Sequence, residues 1–204
     1  MIVIDALIIL IVVFVLFLFF YKFYFLRNPS RQIPFGDNII SPADGLITSI
    51  KKFNKNKVNI NKRFLGKAKS FTKDVSDSGY MVSIFMNVFD VHFNRAPMSG
   101  IVKYIVHSKG KFLNALKPES TFENENVQIL FQSKNFKLKT IQIAGLVARR
   151  IVPFIKKNDK IIKGQRIGLI KLGSQVTIIL SDKVKLKVVK GQRVLAGETI
   201  IAEK

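Results

Sequence analysis

The chain has 204 residues, 48% of them hydrophobic, and this length suits a single domain with a small appendage. Cysteine is absent, which excludes disulfides, thiolate nucleophiles and zinc–cysteine sites; with only two histidines a histidine-rich centre is not expected either, so we predict no metal site. The formal net charge of +21 favours a polyanionic partner, nucleic acid or an anionic lipid surface, although biased codon supply also produces lysine-rich chains.

The first predicted element is an apolar helix near the N-terminus. Residues 6–21 are uncharged and apolar on every face, and a helix of this length spans about 24 Å, or about 31 Å if it continues for five more residues. Lys22, Arg27 and Arg31 follow the run, so the positive-inside rule places the rest of the chain in the cytoplasm. We predict a cell-membrane anchor over residues 1–28, spanning or interfacial. A cleaved signal peptide or a buried core helix fits the pattern less well.

The remainder of the chain reads mainly as β structure. Seven short runs are rich in β-branched and aromatic residues and are bounded by Gly, Pro, Asn or Asp. They lie at residues 46–50, 81–86, 101–106, 127–131, 137–143, 176–180 and 184–189. Residues 144–151 fit a short helix or a strand end, and the Lys- and Asn-rich residues 54–77 indicate a mobile excursion. We predict a mainly β (α+β) fold with a sandwich-like body.

A short repeat occurs near the C-terminus. Lys-Gly-Gln-Arg at 163–166 recurs at 190–193, and each copy separates two strand-like runs, so the two glycines are predicted to form equivalent hairpin turns. The second copy resembles the hairpins of lipoyl and biotinyl carrier domains. The sequence around it lacks the modified lysine's usual context, so a lipoyl/biotinyl-like hairpin region is predicted without a carrier function.

Three local motifs carry residues suited to chemistry. Ser-Pro-Ala-Asp-Gly at 41–45 forms a turn that contains Asp44, and the segment 87–97 places His92 at the end of an apolar strand. Gly173-Ser174 lies in a short turn between two apolar runs. Glycine has no Cβ to block attack on its carbonyl, so a serine directly after it suits cleavage of the backbone by its own hydroxyl. Taken singly, each motif is also compatible with an ordinary turn or a structural histidine.

Together these motifs resemble the phosphatidylserine decarboxylase proenzymes of the short bacterial and archaeal type. The resemblance runs from residue 26 to the C-terminus, with the matching segments in the same order. They are residues 26–29, 41–45, 92–97 with Gly100, 110–115, 123–125, 142–151 and 172–174.

The resemblance implies a pyruvoyl-dependent enzyme over residues 29–204. Self-cleavage between Gly173 and Ser174 would give a long chain, 1–173, and a short chain, 174–204, with Ser174 converted to a covalent pyruvoyl group as the only cofactor. The pyruvoyl ketone would form a Schiff base with the amine of phosphatidylserine and promote its decarboxylation to phosphatidylethanolamine in phospholipid biosynthesis.

The same resemblance assigns roles to two further residues. His92 matches a histidine implicated in decarboxylation, and Asp44 matches an aspartate implicated in self-cleavage. Two positions depart from the pattern: Arg95 stands where longer members carry a second histidine, and Gln175 stands where short members commonly carry arginine. Because arginine does not act as a base at neutral pH, either His92 serves both steps or Asp44 acts directly or through water.

The expected partners follow from this reading. They are a phosphatidylserine substrate, ester- or ether-linked, an anionic membrane surface, and the two cleaved chains paired as a heterodimer, with no nucleic acid and with further oligomerisation left open. The alternative is a non-enzymatic, membrane-anchored basic module that binds anionic lipid or nucleic acid. It accommodates the charge and the anchor, but it does not explain Asp44, His92 and Gly173-Ser174 together.

Overall fold

The computed structural model describes residues 2–54, 72–110, 124–145, 150–171 and 174–204. Within these ranges an apolar helix, α1 (Ile2–Phe19), continues as a π-helical segment (Phe20–Phe25) and is followed by fourteen strands. The strands are β1 (Asn38–Ile40), β2 (Gly45–Asn54), β3 (Ser78–Met86), β4 (Phe93–Arg95), β5 (Gly100–Ser108), β6 (Asn126–Ser133), β7 (Phe136–Ala144), β8 (Ile151–Pro153), β9 (Lys160–Ile161), β10 (Arg166–Ile170), β11 (Ser174–Ser181), β12 (Lys185–Leu186), β13 (Arg193–Val194) and β14 (Ile200–Glu203).

The N-terminal helix extends away from the β body. The stretch Val3–Phe25 is long and apolar enough to cross a membrane; its residues up to Phe19 are exposed, and only its last turn, ending at the buried Phe25, contacts the body. A helix with apolar side chains on all faces has no polar side to turn towards water, so exposure of this helix outside the β body is typical of a membrane span. The predicted apolar helix is confirmed. It begins before residue 6 and, with its π-helical turn, ends at Phe25.

The strands form three antiparallel sheets. Eight strands make the largest sheet, in the order β13-β2-β3-β11-β7-β6-β5-β9, and the smaller sheets are β1-β14-β12 and β4-β10-β8. Strand β11 lies inside the largest sheet, hydrogen-bonded to β3 on one side and β7 on the other. The chain therefore presents Ser174 at the end of a strand that is paired along both edges. The predicted mainly β fold with an N-terminal hydrophobic helix is confirmed.

Both faces of the large sheet are covered. Val176, Ile178 and Leu180 of β11 point into the main core, whereas Ile179 packs with Met81 in a smaller cluster on the opposite face. All eight residues of β11 are buried. A strand covered on both faces needs apolar or paired side chains at every position, as the sequence of this segment provides.

Six of the seven predicted strand runs lie within observed strands. The run 184–189 was predicted too long, since the strand there is only Lys185–Leu186. Its backbone leaves the ladder because the Val189 N–H donates to the Gln192 side chain, at 3.1 Å, rather than to a neighbouring strand. Most of the excursion predicted at 54–77 and the middle of the ambiguous segment 144–151 lie outside the described residues.

The two copies of the repeat form the same turn. Gly164 has φ +84° and Gly191 has φ +87°, values that fit the third position of a type II turn and favour glycine. The glutamine that follows each glycine accepts a hydrogen bond from the backbone N–H three residues earlier, at 3.1 Å in both copies. The prediction of equivalent glycine turns is confirmed, but the prediction that they form hairpins is wrong. Strands β9 and β10 flank the first turn and pair with β5 and with β4 and β8, and strands β12 and β13 flank the second and pair with β14 and β2.

Candidate active site

Ser174 is the first residue of β11 and lies between two neighbouring strands. It stands opposite Met86 of β3 and Ala144 of β7. Its side chain is fully buried, and its hydroxyl donates a hydrogen bond to the Met86 thioether, with Oγ 3.4 Å from Sδ. Because a thioether is a weak acceptor, this contact orients the hydroxyl without holding its proton strongly. Leu172 and Gly173 lie outside the described residues.

His92 lies between β3 and β4 and has no exposure to solvent. Its Nδ1 is 2.8 Å from the backbone oxygen of Asp90. Since a carbonyl oxygen only accepts, Nδ1 carries the proton of the neutral ring and Nε2 presents a lone pair. Nε2 is buried and has no hydrogen-bond partner among the residues that the structure describes. The Ile170 N–H donates to the His92 carbonyl at 3.3 Å, which ties His92 to the strand that leads towards residue 173.

The surroundings of His92 keep its ring neutral. Burial lowers the pKa of His92 from 6.5 to about 4, and the positive charge of Arg27 acts in the same direction. The hydrogen bond to the Asp90 backbone and the negative charge of Asp44 oppose this shift only in part. At pH 7 the imidazole is therefore uncharged, and Nε2 is able to accept a proton.

The loop that carries His92 is fixed by Asp90, a residue that sequence reasoning did not select. The Asn87 N–H donates to Asp90 Oδ2 at 2.8 Å, and the Phe89 N–H donates to Asn87 Oδ1 at 2.8 Å. Arg193 of β13 pairs with the other Asp90 carboxylate oxygen. These bonds position the Asp90 carbonyl that orients the imidazole. An asparagine followed three residues later by aspartate was the available signal for such a turn.

Asp44, predicted to take part in self-cleavage, is held in a buried ion pair. Arg31 Nη2 donates to both carboxylate oxygens, at 3.0 and 2.8 Å, and the Ala196 N–H donates to Oδ1 at 2.7 Å. The side chains of Asp44 and Arg31 are each 7% exposed. In the described part of the chain no hydrogen bond joins Asp44 to Ser174 or His92. Its charge nevertheless raises the pKa of His92, so the two groups interact through space.

Arg95 binds the segment that follows the N-terminal helix. Its Nη1 donates to the Gly164 carbonyl at 2.9 Å, and its Nη2 donates to Asn28 Oδ1 at 2.9 Å and to the Pro29 carbonyl at 3.2 Å. Arg95 thus links residues 28 and 29 to the body of the protein by hydrogen bonds. Gln175, the other departure from the family pattern, is buried and donates to Thr177 Oγ1 at 3.1 Å.

The end of the N-terminal helix packs directly against this site. Phe25 is fully buried, and its ring centroid lies 4.2 Å from that of His92. Arg27 donates to the carbonyls of Tyr24 and Phe89, which joins the helix end to the His92 loop. From the sequence, the same residues are predicted only as a membrane anchor. The contact was not predictable, because nothing in an apolar run distinguishes the residue that meets the body.

Comparison with known proteins identifies the family to which this chain belongs. The profile of the family described as phosphatidylserine decarboxylase matches residues 16–202. A protein of Novosphingobium aromaticivorans named phosphatidylserine decarboxylase proenzyme is 43% identical over 182 residues, which cover 88% of this chain and 70% of the relative. A protein of the same name from Erythrobacter litoralis is 41% identical over 181 residues, covering 87% of this chain and 71% of the relative.

The chain belongs to the phosphatidylserine decarboxylase family. The resemblance seen in the sequence motifs is thereby confirmed. The structure gathers His92 and Asp44 close enough to interact electrostatically and places Ser174 at the head of the central strand. Their catalytic roles stay predictions. Within the described ranges, no group of three or more His, Cys, Asp or Glu side chains is arranged to hold a metal ion.

Proposed function

We propose that this chain decarboxylates phosphatidylserine to phosphatidylethanolamine, in phospholipid biosynthesis, after cutting its own backbone between Gly173 and Ser174. Family membership supports the reaction, and both relatives are named proenzymes, the term for precursors that mature by cleavage. The observation that carries the proposal is the position of Ser174. It is a fully buried serine at the first residue of the central strand, and its hydroxyl has only a weak acceptor.

Self-cleavage would proceed in three steps. Ser174 Oγ attacks the Gly173 carbonyl carbon, the C–N bond breaks, and the hydroxyl proton is transferred to the nitrogen, which leaves an ester and a free amine. Removal of the Ser174 Cα proton then expels the Gly173 carboxylate and leaves dehydroalanine. Its imine tautomer takes up water and releases ammonia, so that residue 174 becomes a pyruvoyl group.

The surroundings of Ser174 fit a pyruvoyl group. This group is no larger than the serine it replaces, and the Ser174 side chain is buried and stands opposite Met86 and Ala144. Its ketone supplies Schiff-base chemistry, that is, an electrophile for the substrate's amine and an electron sink for the charge left when CO₂ departs.

His92 is the proposed proton carrier. Its Nδ1–H is held by the Asp90 carbonyl, so proton transfer takes place at Nε2, which is buried and unpaired within the described residues. In self-cleavage Nε2 would accept the proton of the Ser174 hydroxyl, and in decarboxylation the same nitrogen would move the proton of the substrate. Asp44 would favour the protonated form of His92 by its charge, a positioning and electrostatic role rather than that of a direct base.

The proposed location is the cell membrane, with the catalytic body on the cytoplasmic side. The apolar helix, the cationic residues Lys22, Arg27 and Arg31 that follow its apolar core, and the net charge of +21 support it, because anionic lipid headgroups attract such a surface. The helix end packs on His92 through Phe25, so anchoring would also hold the site close to its lipid substrate.

Intact-mass spectrometry of the purified protein tests the proposal. Wild-type protein is expected to give a long chain ending at Gly173 and a 31-residue chain whose mass carries the pyruvoyl change. Ser174→Ala should remain one intact chain, whereas Ser181→Ala, at the far end of the same strand, should be cut normally. An active wild-type enzyme that stays continuous across residues 173 and 174 would refute the proposal.

A further inference from the structure

Two amide side chains buried beside Ser174 take no part in the steps above. Gln142 of β7 lies two residues before Ala144, the residue paired with Ser174, so it is the diagonal neighbour of Ser174 on the same face of the sheet. Asn94 lies on β4, two residues after His92. Both side chains have no exposure to solvent.

These amides are linked to the Ser174 hydroxyl through one sulfur atom. Gln142 Nε2 donates to Asn94 Oδ1 at 2.7 Å, and Asn94 Nδ2 donates to Met86 Sδ at 3.7 Å. The same sulfur accepts the hydrogen bond from Ser174 Oγ at 3.4 Å. We call Gln142, Asn94 and Met86 the amide relay. It connects strands β7, β4 and β3 to the first residue of β11.

The fold leaves space for this relay. A Cβ at Gly168 of β10 would lie 2.7 Å from Gln142 Nε2 and 3.0 Å from the Val152 carbonyl oxygen. A side chain at position 168 would therefore displace the Gln142 amide. Because Gly168 has no side chain, the Gln142 side chain fits between the eight-stranded sheet and the sheet β4-β10-β8.

Packing does not explain the presence of the relay. Burying an amide is unfavourable unless its hydrogen-bonding groups are paired, and apolar side chains of the same shape would fill the space without that requirement. Gln142 Oε1 is buried and has no donor among the described residues. An incompletely paired polar group next to the residue on which the reaction depends points to a role in that reaction.

We propose that the amide relay is a positioning device that selects the side-chain rotamer of Ser174 for self-cleavage. A serine hydroxyl has three staggered rotamers, and only one direction of approach suits attack on the preceding carbonyl. Met86 Sδ selects a rotamer but, as a weak acceptor, releases the proton readily, while Asn94 and Gln142 hold the sulfur in place. The inference rests on the proposed function. It predicts an effect on maturation above all, because the mature enzyme has no hydroxyl at residue 174.

Matched methionine variants provide the first test. Met86→Leu keeps the volume and removes the sulfur acceptor, and Met81→Leu makes the same change on the same strand but in the cluster on the opposite face. We expect cleavage of newly made Met86→Leu protein to be slowed by between about tenfold and a hundredfold. Met81→Leu should be cut at the wild-type rate.

The double variant Asn94→Leu with Gln142→Met provides the second test. Both amides become apolar groups of similar shape, so no unpaired amide remains and the chain is expected to fold. Its cleavage should be slowed as in Met86→Leu, whereas decarboxylation per pyruvoyl-bearing molecule should fall far less. Thermal unfolding of each variant, measured alongside, separates this result from a general loss of structure.

The outcomes distinguish the two proposals. If wild-type protein is never cut, the proposed function fails. If wild-type protein is cut, and Met86→Leu and the double variant are cut as fast as wild type, the proposed role of the amide relay is overturned while the proposed function stands. A parallel fall in cleavage, turnover and thermal stability would also overturn the relay, since it would indicate a structural role only.

Discussion

His92 is a residue whose chemistry is set by its neighbours rather than by its own type. A carbonyl oxygen fixes which nitrogen carries the proton, and burial sets when the ring becomes charged. Asp44 shows the complementary case. Its carboxylate is fully engaged with Arg31 and the Ala196 N–H, so it acts on the histidine by charge and not by contact. Both conclusions require the partners to be known, and neither follows from residue type alone.

The pKa of His92 gives a prediction for stability against pH. Above pH 6.5 the ring is neutral in both the folded and the unfolded chain; between 6.5 and about 4 only the unfolded chain binds the proton, so the folded state loses stability as the pH falls. The full effect is about 3 kcal/mol. Thermal unfolding of the uncut Ser174→Ala chain in detergent should show this loss, and adding His92→Gln should remove that part of the slope. Identical slopes would show that His92 is not buried as a neutral ring.

At the scale of elements, the junction between the N-terminal helix and the β body is part of the candidate site. The π-helical turn at Phe20–Phe25 ends with Phe25 against His92, and Arg27 reaches across to the Phe89 carbonyl. A helix that served only as a tether would need no such contact. Its last turn instead packs against the His92 ring through Phe25.

Replacing Phe25 tests the effect of this contact. Phe25→Ala opens a cavity next to the imidazole, which should cost about 3–5 kcal/mol of stability and admit water. With its desolvation relieved, the pKa of His92 should rise from about 4 towards 6.5, as followed by NMR titration of labelled histidine in the Ser174→Ala background. Phe23→Ala is the matched control, because Phe23 is 60% exposed on the same turn. An unchanged His92 pKa in Phe25→Ala would contradict the conclusion that Phe25 shields the imidazole from water.

Local patterns predicted the elements better than they predicted the contacts between them. The equivalent turns at Gly164 and Gly191 depend on four consecutive residues each and were predicted correctly, whereas the hairpins predicted around them are absent because the flanking strands pair elsewhere. The run 184–189 was predicted too long because a glutamine side chain takes the backbone bond that would have extended the ladder.

The contacts that build the site join residues distant in the chain. Ser174 meets Met86 across a strand pair, and Phe25 meets His92 across the helix junction. Periodicity assigns a residue to a face of an element but not to a partner on another element. The sequence motifs therefore indicated Ser174, His92 and Asp44 as candidates, and only the fold identifies the groups that surround them.

At the scale of the whole molecule, residues 174–204 are integrated throughout the body. Strand β11 is paired with β3 and β7, β13 with β2, and β14 with β1. Each fully buried apolar side chain of β11 contributes roughly 1.5–3 kcal/mol to the stability of the folded protein. Cutting the backbone before Ser174 removes none of these interactions.

The two cleaved chains should therefore remain together. With an affinity tag at the C-terminus, the long chain is expected to co-purify with the short chain in mild detergent and to be released only by strong denaturant. The cut protein should also unfold in a single transition. Recovery of the short chain alone under mild conditions would show that the sheet does not hold the two chains together.

The position of residue 174 also offers a route to semisynthesis. The proposed short chain would begin at the reactive residue, and its 31 residues, 174–204, are few enough for chemical peptide synthesis. A synthetic peptide with a different α-keto group at its first position, refolded with the separately expressed long chain, would place a chosen electrophile at the head of the central strand. The proposed break in the backbone would thus provide an entry point for active sites that ribosomal synthesis does not encode.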